Sequence, residues 1–249
     1  MSNRFYVNQP LDGDLCQITG ETAHHVLNVM RMQIGDSLTL FNGNNYEFHA
    51  TITETAKKAV TVTIQSSKKV SRELAIRITV ATAFPKGDRQ KFMIEKLVEL
   101  GVERLIPLRT ERSVVNVQEK SQEKIQRWIV EASKQCGRNR LMTIQPTVSF
   151  NDWIQTETTG TRLIAHPDQS LLSITDVMTD SIDAGLTNLT IGPEGGFSDS
   201  EIGHATQAGW VSFAIGNRIL RIETAAIALA SIFSLAQDTA SPIHKPLAD

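Results

Sequence analysis

Two glycine-bearing segments near the C-terminus hold the residues best suited to chemistry. The first reads Ile191-Gly192-Pro193-Glu194-Gly195-Gly196-Phe197, the second Ile215-Gly216-Asn217-Arg218-Ile219-Leu220-Arg221-Ile222-Glu223-Thr224. Each follows a short apolar strand and runs into a helix. In the first, Gly192 ends the strand, Pro193 sets the next φ, and Gly195-Gly196 let the backbone approach a ligand closely. Ser198 then reads as a helix N-cap, with Glu201 three residues on completing a capping box. In the second, Gly216 ends a strand, and Arg218 and Arg221 lead to a helix opened by Glu223-Thr224. The two arginines either pair with Glu194 or Glu223 or face a ligand. Neither segment is a G-x-G-x-x-G fingerprint or a G-x-x-x-x-G-K-[ST] phosphate loop. What they present is backbone N–H and C=O groups, suited to reading an adenine edge and a ribose.

The surrounding pattern supplies the elements that position these loops. Residues 1 to about 70 read mostly as strands, among them Ser37–Phe41, Tyr46–Ile52 and Ala59–Ile64, with Asn42-Gly43-Asn44 as a turn. A helix over Ala23–Met32 interrupts them, and the whole suggests a small β-barrel. The polar stretch Ser66–Glu73 reads as a linker or an exposed edge. Beyond it strands and helices alternate. Strands fall at Ile76–Ala83, Arg104–Leu108, Leu163–Ala165, Leu189–Ile191 and Val211–Ile215. Helices fall at Arg89–Leu100, closed by Gly101, and at about Ser121–Gln135, where Ile125, Trp128, Ile129, Ala132 and Cys136 make one apolar stripe. The helix Glu223–Gln237 is apolar almost all round, so it is buried on more than one side. Such alternation predicts an α/β domain with a mostly parallel sheet, whose ligands sit beyond the carboxyl ends of its strands. Both glycine loops lie at that end.

Composition bounds the rest. The chain has 249 residues, 41% of them apolar, two cysteines and a formal net charge of −2. No run of eighteen apolar residues is present, so no membrane-spanning helix is expected. The first residues lack the apolar stretch of a signal peptide, and Cys16 and Cys136 build neither a disulfide framework nor a metal site. The expectation is a cytoplasmic protein without a metal.

GPEGGFSDSEI followed by IGNRILRIETAAIAL resembles the C-terminal signature of the SPOUT methyltransferases, most closely the RsmE-type bacterial enzymes that methylate uridine N3 in 16S ribosomal RNA. His25-Val26-Leu27 through Met30-Arg31-Met32, Lys91–Gly101, and Glu131–Arg140 agree with it, so the resemblance covers nearly the whole chain. It implies a PUA-like RNA-binding barrel over 1–70 and a SPOUT domain with a trefoil knot over 74–243. It implies S-adenosylmethionine as cofactor, a homodimer, and 16S ribosomal RNA or the assembled small subunit as partner. The cofactor residues carried over are Ala165 and His166, where the family pattern puts a third contribution at His166-Pro167. From the two loops come Gly192, Glu194, Gly195, Gly196, Ile215, Gly216, Leu220, Glu223 and Thr224. Relatives often have proline where Asn217 stands. A SPOUT enzyme acting on a ribose 2′-oxygen, and a non-catalytic RNA-binding protein of the same fold, are the alternatives.

Methylation of uracil N3 needs its lone pair, so the anion left by deprotonation must be stabilised. Arg218 and Arg221 are the catalytic candidates for that role. Lys134, Arg138 and Arg140 concentrate charge at a helix end. With Lys86, Arg89, Arg109 and Arg112 they form a candidate phosphate face, which Arg31, Lys57 and Lys58 extend onto the barrel. Arg138 and Arg140, on either side of Asn139, are expected in a turn beyond the helix. Cys136 reads as a packing residue.

Overall fold

The computed structural model describes residues 3–114, 121–166, 172–174, 177 and 185–238. The chain divides into two compact units. One holds the residues up to Glu73 together with Val130–Leu141, the other Leu74–Ile129 and the residues from Met142 on.

The first unit contains β1 (Arg4–Tyr6), β2 (Leu15–Thr19), α1 (Gly20–His24), a π-helical turn (His25–Val29), β3 (Ser37–Phe41), β4 (Tyr46–Ala56) and β5 (Ala59–Lys69). They form a five-stranded sheet in the order β1-β3-β4-β5-β2, antiparallel except for the β1–β3 pair. Its core follows strand alternation: Cys16 and Ile18 of β2, Ala50 and Ile52 of β4, and Val60 and Val62 of β5 are buried together. Two expectations change. The supposed linker residues Ser66–Lys69 are the end of β5, paired with Tyr46–His49. Their side chains are exposed, and backbone pairing by itself leaves no hydrophobic signal. The helix expected over Ala23–Met32 is a short α-helix and a π turn, in which Met30 N–H donates to His25 O at 2.9 Å. Arg31 follows at φ 55°.

A buried polar network ties residues 137–139 into this unit. Arg4 is 7% exposed. It donates to Glu47 Oε1 at 3.0 Å, to the Arg138 carbonyl at 2.8 Å and to Asn139 Oδ1 at 2.5 Å, and its guanidinium lies 3.9 Å over the Phe41 ring. Glu47 also accepts from Arg72 at 2.8 Å and from Asn139 at 3.2 Å. Burial pushes the Glu47 carboxyl up. The hydrogen bonds from Arg72 and Asn139, with the charges of Arg72 and Arg4, outweigh it and hold the carboxyl below its ordinary value. These long-range bonds explain why Val130–Leu141 groups here, although the sequence reading counts it within 74–243.

The second unit contains β6 (Arg77–Thr82), α2 (Arg89–Glu99), β7 (Arg104–Arg109), β8 (Thr143–Ile144), β9 (Val148–Ser149), α4 (Phe150–Thr156), β10 (Thr161–Ala165), β11 (Leu172–Ser173), β12 (Leu186–Ile191), α5 (Asp199–Gln207), β13 (Val211–Ala214) and α6 (Ile222–Asp238). The helix between them in sequence, α3 (Gln122–Cys136), buries Ile125, Ile129 and Ala132 as its stripe predicts. The sheet is parallel in the order β11-β13-β10-β12-β6-β7-β8, with β9 pairing on β7. All six residues of the central strand β12 are buried, as in a sheet covered on both faces. Trp153 of α4 donates its Nε1–H to Thr190 Oγ1 at 2.9 Å, and Trp210 donates to the Ile154 carbonyl at 3.0 Å, so both indoles are buried without an orphaned donor. Ser198 caps α5, and the capping box with Glu201 is present. Helix α6 packs against α2, β6 and β12, and Ala226, Leu229, Ala230 and Phe233 along it are fully buried. Among the described residues no helix is long and apolar enough to cross a membrane.

Candidate functional site

Parallel pairing brings the strand ends together. Ala165 of β10 pairs with Ile191 of β12 on one side and with Phe213 of β13 on the other. The chain therefore leaves all three strands at one edge, where α/β sheets bind ligands. A cavity of about 210 Å³ opens there, lined by Ala165 and His166, by Ile191–Phe197, by Ile215, Gly216 and Arg218–Leu220, and by Ala225. It gathers both glycine loops and the end of β10. Arg218 lines it, whereas Arg221 is exposed outside the lining. Glu223 and Thr224 also stand outside the lining; Glu223 is 6% exposed.

Local packing shapes this cavity. A Cβ at Gly192 would stand 3.0 Å from the Phe197 ring, which is itself held 4.8 Å from Phe150. Glycine thus lets the strand end and the returning loop touch. Gly195 lines the cavity and packs beside Arg112. A Cβ there would stand 3.4 Å from the Arg112 Cβ, an ordinary packing distance. Gly216 has φ +74°, a conformation that costs a residue with a Cβ roughly 1–2 kcal/mol. Gly216→Val should therefore weaken ligand binding about tenfold, as that strain is relieved by moving the loop. Calorimetric titration of a folded Gly216→Val variant checks this, and unchanged affinity would remove Gly216 from the site.

His166 contributes to the cavity wall. His166 Nδ1 is buried without a hydrogen-bond partner among the described residues, while the His166 N–H donates to Phe213 O at 3.0 Å. The glutamates of both loops share one cation, Arg89, whose Nη1 is 3.4 Å from Glu194 Oε1 and 3.5 Å from Glu223 Oε2. Arg112 Nη1 donates to the Gly195 carbonyl at 2.9 Å and lies 3.4 Å from that of Phe197.

The chain matches the model of an RNA methyltransferase domain over residues 72–234 and that of an RNA methyltransferase PUA domain over residues 18–65. It is 31% identical to ribosomal RNA small subunit methyltransferase E of Bacillus subtilis, over 87% of this chain and 88% of that protein. The chain belongs to the ribosomal RNA small subunit methyltransferase E family. A member from Neisseria gonorrhoeae, solved with S-adenosylmethionine bound, is 27% identical with a TM-score of 0.84, covering 96% of this chain and 98% of that one. A Legionella pneumophila protein solved with the same cofactor is 36% identical with a TM-score of 0.87, covering 95% and 98%. Membership accounts for the mixed α/β fold with its parallel sheet and PUA-like unit.

The basic residues proposed for phosphates separate in the structure. Lys86, Arg109 and Arg140 are exposed, as is Arg31 in its left-handed turn. Lys134 pairs with Glu131 at 3.0 Å and lies 6.0 Å over the Phe5 ring. Arg138 requires correction. It is 3% exposed and forms a bidentate pair with Glu73, Nε to Oε1 at 3.0 Å and Nη2 to Oε2 at 2.5 Å. The segment does leave the helix after Cys136, as expected, but it joins the buried network, because Asn139 and the Arg138 carbonyl both bond Arg4. Arg89 and Arg112 are engaged with the cavity loops. Ile191, Pro193, Phe197, Ile219 and Ala225 also line the cavity, although they are not among the cofactor residues expected from the sequence. Among the described residues, no cluster of three or more His, Cys, Asp or Glu side chains is arranged to hold a metal ion.

Proposed function

We propose that this protein binds S-adenosylmethionine in the cavity between its two glycine loops and methylates N3 of a uridine in 16S ribosomal RNA. The observation that carries the reading is the cavity itself, where the backbone of both glycine loops and His166 at the end of β10 come together around a space that fits a purine and a ribose. The bound cofactor of the Neisseria and Legionella relatives supports it. When bound, the cofactor supplies an electrophilic methyl group. The chain's own part is to hold the uracil edge. Arg218, on the cavity wall, faces the charge that develops at O2 and O4 when N3 loses its proton. Arg31 and Arg140 on the first unit, and Lys86 on the second, contact phosphates. The second unit carries a trefoil knot, a rare topology. The enzyme works in the cytoplasm.

Methylation of 16S ribosomal RNA or intact small subunits, followed by nucleoside mass spectrometry, tests the reaction. The expected product is 3-methyluridine. A 2′-O-methylated nucleoside, or no product from protein that binds the cofactor, would overturn it.

The protein acts as a homodimer. Phe92 of α2 is 51% exposed and Leu235 of α6 is 63% exposed, on two helices that pack together. A partner subunit that covers them removes apolar surface from water. Light scattering should give twice the chain mass at micromolar concentration; a stable monomer would refute the dimer.

A further inference from the structure

Arg89 stands where a helix is least hospitable to a cation. It is the first residue of α2, whose first turn has no acidic residue and whose N-cap, Asp88, makes no side-chain capping bond. The positive end of the helix dipole disfavours it there. Its guanidinium reaches instead toward Glu194 on the first loop and Glu223 at the start of α6, 3.4 Å and 3.5 Å away. Glu223 Oε2 is buried and accepts no hydrogen bond among the described residues. A buried carboxylate oxygen in that state is costly unless a cation faces it, and Arg89 is that cation. Glu194 is half exposed, at 50%, so its half of the bridge is the weaker one.

We infer that Arg89 is a positioning residue, which holds the two cofactor loops in register through Glu194 and Glu223. It is not a phosphate contact. The inference rests on the cofactor reading of the cavity and adds how that site is kept assembled. Neither Arg89 nor Glu223 lines the cavity, so both act through the loops they join. One guanidinium nitrogen, Nη1, faces two carboxylates from different elements.

The test is a double-mutant cycle. S-adenosylmethionine affinity is measured by calorimetry for the wild type, Arg89→Ala, Glu223→Gln and the double variant, with melting temperature as a check on folding. Arg89→Ala should weaken binding about tenfold, and less than about twofold in the Glu223→Gln background, where no buried charge needs a partner. Arg89→Lys, which keeps the charge, should recover part of the loss. The salt dependence of RNA binding should not change in any of them. Three results would overturn the inference: unchanged cofactor affinity in Arg89→Ala, an equal loss in both backgrounds, or an RNA salt slope reduced by about one unit with cofactor affinity intact. A wild-type protein that does not bind S-adenosylmethionine would overturn the cofactor reading itself, and this inference with it.

Discussion

Arg138→Ala is expected to destabilise the protein by about 3–5 kcal/mol, the usual cost of leaving one member of a buried ion pair alone. Arg138 is 3% exposed and its partner Glu73 only 16%, so solvent screens the abandoned carboxylate little. The loss is a large share of a typical folding free energy of about 5–15 kcal/mol. It falls on a unit that also relies on Arg4, which donates to the Arg138 carbonyl, and on Asn139, which donates to Glu47 and to the Val70 carbonyl. Neutralising both partners together, as Arg138→Met with Glu73→Gln, should cost less than Arg138→Ala alone, because no charge is stranded. Arg140→Ala gives the contrasting result. Arg140 is exposed, and its removal should flatten the salt dependence of RNA binding by about one unit of slope. Chemical denaturation and a salt series on these variants decide the matter. An unchanged melting temperature in Arg138→Ala, with a shallower salt slope, would return Arg138 to the RNA face.

Arg218→Ala should lower kcat by about 10²–10³-fold, the usual loss when one donor to a developing oxyanion is removed. The uracil N3–H is a weak acid with a pKa well above neutral, so the reactive anion forms only where its charge is met. Arg218 lines the cavity, while Arg221, three residues on, is exposed outside it. Arg221→Ala should therefore cost less than about tenfold. Cofactor affinity should change little in Arg218→Ala, because the loop backbone and His166 remain. Raising the pH should restore part of the variant's rate, since bulk base then does some of the work of deprotonation. Single-turnover kinetics with small subunits, alongside calorimetry, separate the two quantities. A normal kcat with weakened cofactor binding would make Arg218 a binding residue only.

The periodic and local features of this protein were legible in its sequence. Alternating strands and helices predicted the parallel sheet, and the Ser198–Glu201 spacing predicted the capped helix α5. The apolar stripe of α3 predicted Ile125, Ile129 and Ala132 as core residues. Even the gathering of the two glycine loops followed from local signals, because parallel strands of one sheet end on the same side. These properties depend on near neighbours, and near neighbours leave a repeating pattern. The partners of the arginines were not legible. In sequence, Arg89, Arg112, Arg138 and Arg140 are equivalent cations, all suited to phosphate. Folding sets Arg89 between Glu194 and Glu223, more than a hundred residues away. It lays Arg112 over the carbonyls of Gly195 and Phe197, buries Arg138 against Glu73, and leaves Arg140 exposed. A charge takes its role from what faces it, and for these residues the facing group arrives from a distant part of the chain through side-chain contacts that carry no period.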